Sequence, residues 1–397
     1  MPHTRHRFLT SQIQKDMKWA PVVSLLGMRQ VGKTTLARSV ANDYLTLDDD
    51  AVLIRFPSHE WADLEGRKGS LCIDEAQKAP GLFDRVKLIV DRTRKPGRFL
   101  LTGSVRFLSM KQIRESLTGR TSILELLPLT LAESHGLPPS RFFEAILKSH
   151  KQGIFKTTSQ FKSRFSSEQV AHYLEVGGLP GICFKRNTEI RKQIFGLHLD
   201  TLLSRDLRIF YPTSLELTQL RTLAAELARL QGDPLNHTAL ARKVGVSAPT
   251  VRRLLSALQA LFLIRPCGGT FYFEDQGIAS FLLPSVQNPK HLSLFDRRRV
   301  LFQELFSQLN YQYRGIFTLS HYQTRGGIDV PFLMQFHDGT EIAIVIDETQ
   351  SASDRSQKSL TWLKKIKKNL IGIIVNAGSD VFVTRHGHLV VPIERFF

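Results

Sequence analysis

Cysteine is scarce in this chain of 397 residues, where Cys72, Cys183 and Cys267 are odd in number and far apart. That usage argues against a disulfide framework or a zinc site and fits a reducing compartment. No apolar run approaches the ~18 residues that cross a bilayer, which argues against a membrane protein. The positive N-terminal residues 1–7 are not followed by an apolar segment, so we expect no signal peptide and a cytoplasmic location.

Acidic residues are also few. The chain has 54 Lys and Arg against 36 Asp and Glu, a formal net charge of +18. A fold gains nothing from such an excess, so it favours polyanionic partners; a generally basic proteome or charge-based solubility is the alternative. No Asp or Glu lies between Pro234 and Pro266, a stretch that holds several Arg and Lys residues. Nucleic acid is therefore a candidate partner.

The clearest motif fits the phosphate-loop pattern G-x-x-x-x-G-K-[ST] and comprises Gly27, Met28, Arg29, Gln30, Val31, Gly32, Lys33, Thr34 and Thr35. It follows an apolar segment, 22–26, that predicts a buried strand, and it precedes a predicted helix, 34–41. This order gathers backbone N–H groups and a helix N-terminus around one point, as a polyphosphate requires. Lys33 would reach the β- and γ-phosphates and the Thr34 hydroxyl would bind Mg²⁺.

Two adjacent acids, Asp74 and Glu75, end a second apolar strand within residues 69–75. Carboxylates at the C-terminal end of a strand can face the phosphate crevice. We predict that Asp74 holds Mg²⁺ through its water shell and that Glu75 orients or deprotonates the attacking water. The alternative is a solvated acidic pair at a strand end.

Polar residues also end a third apolar strand, 98–104. In ATPases with an additional central strand, a polar residue at this position touches the γ-phosphate and the attacking water. Ser104 is slightly favoured over Thr102 for this role. An ordinary strand-to-loop turn explains the pattern equally well. Arg120 is a candidate for neutralising charge on the transferred phosphoryl group. If Arg120 acts on a neighbouring subunit, the protein is a homo-oligomer.

Four runs, GMRQVGKTTLAR, CIDEAQKAPGLFD, PGRFLLTGS and SLTGR, resemble a large family of prokaryotic AAA-like ATPases whose C-terminal half is uncharacterised. Later landmarks of that family are Gly177-Gly178, Arg205-Asp206-Leu207 and residues 271–277. The resemblance implies an ATP-binding α/β fold, a P-loop NTPase parallel sheet, followed by a helical lid, a winged helix-turn-helix and a small α/β nuclease-like domain. The corresponding predicted boundaries are 1–135, 136–215, 216–285 and 286–397.

Residues 235–262 predict two helices joined by a tight turn, with Ser247 as N-cap of the second. The apolar spacing of the second helix leaves Arg252 and Arg253 on other faces. Together with Lys243 they are candidates for contacting double-stranded DNA. A lid, a protein contact or a solvated face is an equal alternative.

Phenylalanines and lysines interleave between residues 134 and 167. Such a pattern can form a surface that stacks bases and follows phosphates, but we favour phenylalanines that belong to a core. In the predicted lid that follows, Arg205 is a candidate nucleotide sensor, and its pairing with Asp206 or Asp200 is the alternative.

The C-terminal order of helix, strand with an acid, strand, helix and strand resembles the restriction-endonuclease-like core. That chemistry requires carboxylates that hold Mg²⁺ and a lysine two residues after the second strand's acid. Glu304 and Asp329 fit the first two positions, but Val345 and Asp347 stand where the acid and the lysine should be. We therefore predict a domain that does not cut DNA but can still bind nucleic acid or a protein.

Three functions remain open at this point. The chain is an ATP-hydrolysing switch linked to DNA, an ATP-dependent regulator of a protein partner, or an ATP-gated nuclease. Val345 and Asp347 speak against the nuclease. A response of ATP turnover to duplex DNA separates the first two, because only the DNA-linked switch predicts stimulation that weakens with salt.

Overall fold

The phosphate-loop motif lies in a parallel sheet with the strand order β2-β3-β4-β1-β5. The strands are β1 (Val22–Leu26), β2 (Asp43–Thr46), β3 (Leu71–Asp74), β4 (Phe99–Gly103) and β5 (Thr121–Glu125). In this computed structural model, which describes residues 5–55, 64, 69–106, 117–151, 163–283 and 292–397, β1, β3 and β4 are buried throughout. Central strands of a parallel sheet are covered on both faces, which explains their continuous apolar sequences. The predicted additional central strand is confirmed, since β4 pairs with both β1 and β3.

Helices accompany this sheet: α1 (Thr10–Asp16), α2 (Lys33–Val40), α3 (Asp50–Arg55), α4 (Gly81–Thr93) and α5 (Leu131–His135). α2 begins directly after Gly32, whose φ of 100° turns the chain from the loop into the helix. α5 begins with a capping box, in which Thr130 and Glu133 each accept the other's backbone N–H.

A helical region follows. It contains α6 (Phe142–Lys151), α7 (Ser167–Val176), α8 (Pro180–Cys183), α9 (Thr188–Thr201), a π-helical segment (Leu202–Asp206) and α10 (Leu207–Phe210). Next, α11 (Leu217–Arg229), α12 (His237–Val244) and α13 (Ala248–Ala260) pack on one another ahead of the antiparallel strands β6 (Ile264–Cys267) and β7 (Thr270–Phe273), and α14 (Gln276–Leu282) ends the region. Ser247 caps α13 as predicted. None of the helices in the described residues is long and apolar enough to cross a membrane.

The C-terminal region is an α/β sheet with the order β12-β13-β11-β10-β9-β8. Its elements are α15 (Leu294–Gln312), β8 (Phe317–Gln323), β9 (Asp329–Phe336), β10 (Glu341–Ile346), α16 (Asp354–Ile366), β11 (Leu370–Asn376), β12 (Phe382–Val383) and β13 (Leu389–Pro392). Ser353 caps the N-terminus of α16, and Leu370 already pairs with Glu341 in the sheet.

Two large apolar cores cross the predicted domain boundaries. One joins β1, β3 and β4 to the helices α11, α12 and α13. The other joins the C-terminal sheet to Phe142, Phe143 and Phe165 of the predicted 136–215 unit. That unit is therefore divided between two cores, because its phenylalanines pack on the C-terminal sheet. The interleaved phenylalanines are core residues where they are described; Phe155 and Phe161 lie outside the described residues.

Four charged side chains form a cluster where β5 meets β6 and β7: Arg265 and Glu274 are buried, and Arg106 and Glu125 are partly buried. Arg265 binds Glu125 at 2.6 Å and Glu274 at 2.5 Å. Arg106 lies 3.5 Å and 3.4 Å from the same two carboxylates. Burial of ions is tolerable when opposite charges are paired in this way. The four-charge cluster thus fastens β6 and β7 to the first sheet.

Candidate functional site

The phosphate loop joins the end of β1 to the start of α2. Lys33 is the first residue of α2, and its ammonium group donates to the carbonyl oxygens of Gly27 and Met28, each at 2.9 Å. Only 5% of Lys33 is exposed, and this burial lowers the pKa of Lys33 to about 8, although the carboxylates of Glu75 and Asp74 oppose the shift. A phosphate bound here would accept the hydrogen bonds that the two carbonyls now accept.

Glycine is required at the start of the loop because another backbone passes very close. A Cβ atom on Gly27 would lie 2.3 Å from the carbonyl oxygen of Leu126. The N–H of Leu126 donates to the Leu26 carbonyl at 2.7 Å, so this neighbouring backbone is itself fixed to the sheet. Further along, Gln30 and Gly32 have φ of 64° and 100°. Such left-handed residues curl backbone N–H groups into a concavity that binds anions.

Asp74, at the end of β3, is surrounded by hydroxyl groups. Its carboxylate accepts hydrogen bonds from Thr34 at 2.7 Å, from Tyr44 at 2.6 Å and from Thr102. The two predicted metal ligands, Thr34 and Asp74, are therefore in contact. Hydroxyl and carboxylate oxygens are the hard ligands that Mg²⁺ takes in proteins, so the pair fits this ion. Thr102, considered for phosphate contact, instead orients Asp74.

Glu75 directs its carboxylate to a different set of polar groups. The carboxylate accepts hydrogen bonds from Ser104 at 3.1 Å and from Gln77. Glu75 has a φ of 55°, which is uncommon for a residue with a side chain. Such backbone conformations cost on the order of 1–3 kcal/mol and cluster at functional sites. The structure thus brings together the predicted Glu75 and Ser104, and it adds Gln77.

A cavity of about 1050 Å³ opens beside these residues. Lys33, Thr34 and Glu75 line one side of it, and residues 5–7 and the region from Pro180 to Lys185 line the others. Small-molecule sites typically have volumes of roughly 300–1,000 Å³, so the cavity has room for a nucleotide. The phosphate-binding groups therefore lie at the wall of a space of suitable size.

Arg7 is an essential support of the loop that sequence reasoning missed. Its buried guanidinium donates to the carbonyl oxygens of Val31 at 2.8 Å and Leu127 at 2.5 Å, and it contacts the Glu133 carboxylate at 3.2 Å. The side chain thus ties the phosphate loop to the segment after β5. In the sequence, Arg7 is one of several positively charged residues near the N-terminus, and no local pattern distinguishes it from the others.

Arg29 links the loop to the helical region. Its guanidinium lies 3.5 Å from the carboxylate of Asp206, which ends the π-helical segment. π-helical turns are rare and frequently occur at functional sites. Arg205, the predicted sensor candidate, is more exposed and lies 4.0 Å from Asp206, while Asp200 binds Arg221 at 2.6 Å. Asp206, rather than the predicted sensor Arg205, therefore contacts the phosphate loop.

Arg120 lies at the opposite end of the parallel strands from the phosphate loop. β5 runs parallel to β1, and the carbonyl of Arg120 accepts the N–H of Val22, the first residue of β1. The phosphate loop begins at the other end of β1, five residues after Val22. At ~3.3 Å per residue, the loop therefore starts ~16 Å from Val22. The guanidinium makes two hydrogen bonds to Asp91, at 2.6 and 2.9 Å. A catalytic role within its own chain is therefore wrong, and a role on a neighbouring copy stays a prediction.

The three candidates for DNA contact differ in their surroundings. Arg252 and Arg253 are exposed on α13, whose predicted apolar residues are buried. Lys243 is also exposed, but its ammonium group lies 2.6 Å from the carboxylate of Glu226. Arg252 and Arg253 are thus better placed than Lys243 to meet an anionic partner.

The acids of the C-terminal region are held apart. Glu304 on α15 is fully buried, and this burial raises the pKa of Glu304 to about 7. Asp329 binds His321 at 2.5 Å and Arg298 at 3.5 Å, and Arg298 lies six residues, about 9 Å along the helix, from Glu304. Asp347 accepts two backbone N–H groups of the loop that follows it. In the part of the chain that the structure describes, no three His, Cys, Asp or Glu side chains are grouped to hold a metal ion.

These features are those of a P-loop nucleotide-binding domain. Residues 20–135 match the family model described as an AAA domain, which spans the site from β1 to α5. Residues 167–283 match a second family, described as a domain of unknown function. The second match extends across the boundary predicted at 216 and includes the three helices α11, α12 and α13.

The sequence relatives are themselves uncharacterized. Over 265 residues the chain is 29% identical to an uncharacterized protein of Mycobacterium tuberculosis and to one of Mycobacterium bovis. Each match covers 65% of this chain and 52% of the relative, so the chain spans about half the length of the curated relatives it matches. Among solved structures, a Walker-type ATPase of Pyrococcus abyssi is 16% identical with a TM-score of 0.46, covering 71% of this chain and 98% of that one.

Proposed function

We propose that this chain is a Mg²⁺-dependent ATPase that works as a switch. One observation carries the proposal: Thr34, Asp74 and Glu75 come together with Lys33 at the wall of a cavity of nucleotide size. Nucleotide binding alone requires only the loop and the lysine. Hydrolysis requires in addition a pair of metal-binding residues and an adjacent, oriented glutamate.

Each group has a part in the proposed reaction. The loop N–H groups and Lys33 hold the phosphates and compensate their charge. Thr34 and Asp74 hold Mg²⁺, which when bound polarises the phosphoryl oxygens. Glu75 accepts a proton from the attacking water, and Ser104 fixes the direction of the Glu75 carboxylate.

The switch follows from how the helical region meets the site. Pro180, Phe184 and Lys185 line the nucleotide cavity, and Asp206 contacts Arg29 of the loop. A bound triphosphate brings negative charge close to the loop and competes with Asp206 for Arg29. Occupancy of the cavity therefore changes the contacts that hold the helical region, which is how we propose that nucleotide state is transmitted.

Nucleic acid is the proposed partner. The helices α11, α12 and α13 followed by the β6–β7 pair have the order of a winged helix, and Arg252 and Arg253 project from the helix that reads DNA in such modules. The net charge of +18 favours a polyanion. Val345 and Asp347, which stand where an acid and a lysine are needed, support a C-terminal region that does not cut DNA.

ATP hydrolysis by the purified chain, with and without duplex DNA at 50 and 200 mM salt, tests the proposal. Lys33→Ala should lose nucleotide affinity, whereas Glu75→Gln should keep nucleotide affinity and lose turnover. Stimulation by DNA that falls steeply with salt supports the nucleic-acid role. Wild-type turnover in Glu75→Gln would exclude Glu75 as the base, and turnover indifferent to DNA would favour a protein partner.

A further inference from the structure

One face of α16 carries cations and an aromatic ring in register. Arg355, Lys358, Trp362 and Lys365 follow one another at intervals of three, four and three residues, which places them on the same side of the helix. All four are exposed, whereas Leu360 and Leu363 on the opposite side are buried against the C-terminal sheet. We call these four residues the α16 face.

Lys358 and Lys365 have not been neutralised within the described part of the fold, whereas the charge of Arg355 acts on the Asp329 carboxylate of β9. Across the described ranges of the chain, no ion pair involves Arg355, Lys358 or Lys365. Lys367, which directly follows α16, shows the contrast because its ammonium group binds Glu341 at 2.5 Å. A face of unpaired cations attracts an anionic partner and holds it in a manner that weakens with salt.

Trp362 makes the face more specific than a row of charges. Its side chain is 37% exposed, and its ring lies 6.1 Å from the ring of Tyr322 on β8, with an angle of 34° between the planes. The half-buried tyrosine supports the tryptophan from the sheet. An anchored indole surrounded by Arg and Lys can stack a base while the cations contact the flanking phosphates.

We propose that the α16 face binds single-stranded nucleic acid. From Arg355 to Lys365 the helix rises about 15 Å, enough to lie along a few consecutive phosphates. A stacking site requires an unpaired base, which a single strand presents and a duplex does not. This site lies on the C-terminal sheet, apart from Arg252 and Arg253, and it does not depend on ATP hydrolysis.

Fluorescence anisotropy with a labelled 20-residue oligothymidylate tests the proposal on the full chain without nucleotide. Loss of base stacking in Trp362→Ala should weaken binding about 5- to 150-fold. The matched control Trp19→Ala removes a more exposed tryptophan, 63% accessible, and should leave the affinity unchanged. Lys365→Gln should reduce the salt slope by about 0.7, whereas Lys364→Gln, on the neighbouring side of α16, should not.

A direct readout uses the native fluorophore. The chain has three tryptophans, so replacing Trp19 and Trp61 by Phe leaves Trp362 as the reporter. Quenching of this fluorescence by the oligonucleotide supports stacking on Trp362.

The proposal is overturned if binding is absent at 50 mM salt, or if Trp362→Ala and Trp19→Ala behave alike. Tighter binding of a duplex that ignores Trp362→Ala would also refute it. So would Trp362-dependent binding to vesicles of phosphatidylserine and phosphatidylcholine without binding to the oligonucleotide. Because no nucleotide is present, each of these failures leaves the ATPase proposal standing.

Discussion

The buried state of Lys33 makes ATP affinity depend on pH. In the free protein, burial lowers the pKa of Lys33 to about 8, since its ammonium group has carbonyl oxygens rather than water as partners. In the complex the phosphates stabilise the charged form, so the pKa of Lys33 rises. Between these two pKa values, binding must take up a proton. The contribution of Lys33 to affinity is therefore constant well below pH 8 and falls as pH rises through 8.

The size of the effect follows from the pKa of about 8. Above it, each pH unit reduces affinity about tenfold, which gives a loss of about thirtyfold between pH 7 and pH 9.5. Titration with a fluorescent ATP analogue across this range measures the dissociation constant. Calorimetry in two buffers of different ionisation enthalpy measures the proton directly, with about 0.5 taken up at pH 8 and about 0.9 at pH 9.

Lys33→Arg is the control, because a guanidinium stays charged throughout and its binding, whatever the affinity, should not change with pH. Circular dichroism at each pH establishes that the chain remains folded. A wild-type dissociation constant that stays within twofold from pH 7 to 9.5, with no proton uptake at pH 9, would refute the reasoning. Lys33 would then be fully charged before nucleotide arrives.

Two further predictions concern the support of the loop. Gly27→Ala places a methyl group 2.3 Å from the Leu126 carbonyl, so we expect the loop to shift and ATP binding to be lost; Gly81→Ala, with nothing within 4 Å, is the matched control. Equal binding by both variants would contradict this. Arg7→Met leaves the buried Glu133 without its guanidinium and should lower unfolding free energy by about 3–5 kcal/mol in urea denaturation, with partial recovery in Arg7→Met/Glu133→Gln. A loss below about 1 kcal/mol would argue against a structural role for Arg7.

The part of the site that could be predicted is the part built by local sequence. The strand, the glycine loop and the helix are consecutive in the chain. The local sequence from Gly27 to Thr35 was therefore enough to predict the geometry of the loop. Asp74 and Ser104 could be placed because parallel strands end at one edge of the sheet. Their contacts with Thr34 and Glu75 depend in addition on the strand order, which the apolar runs alone do not give.

The unpredicted part is built by residues far apart in the chain. Arg7 and Glu133 are 126 residues apart, and Arg29 and Asp206 are 177 apart. No periodicity or motif relates such positions, because only the packing of the helical region on the sheet brings them together. Arg120 is a different case. A residue that precedes a strand parallel to β1 must lie at the end of the strands away from the loop, so strand direction alone excludes a role for Arg120 within its own chain.

The four-charge cluster of Arg106, Glu125, Arg265 and Glu274 has a consequence for how this protein can diverge. Removing Arg265 or Glu274, the two buried members, leaves an uncompensated buried charge, which costs about 3–5 kcal/mol, whereas exchanging the whole set for apolar residues of similar volume can be neutral. A chain with the four charges and a chain with four apolar residues can thus both be stable. The single substitutions that lead from one to the other are destabilising. We expect these four positions to be inherited as a block in related chains, with matched charges or with none.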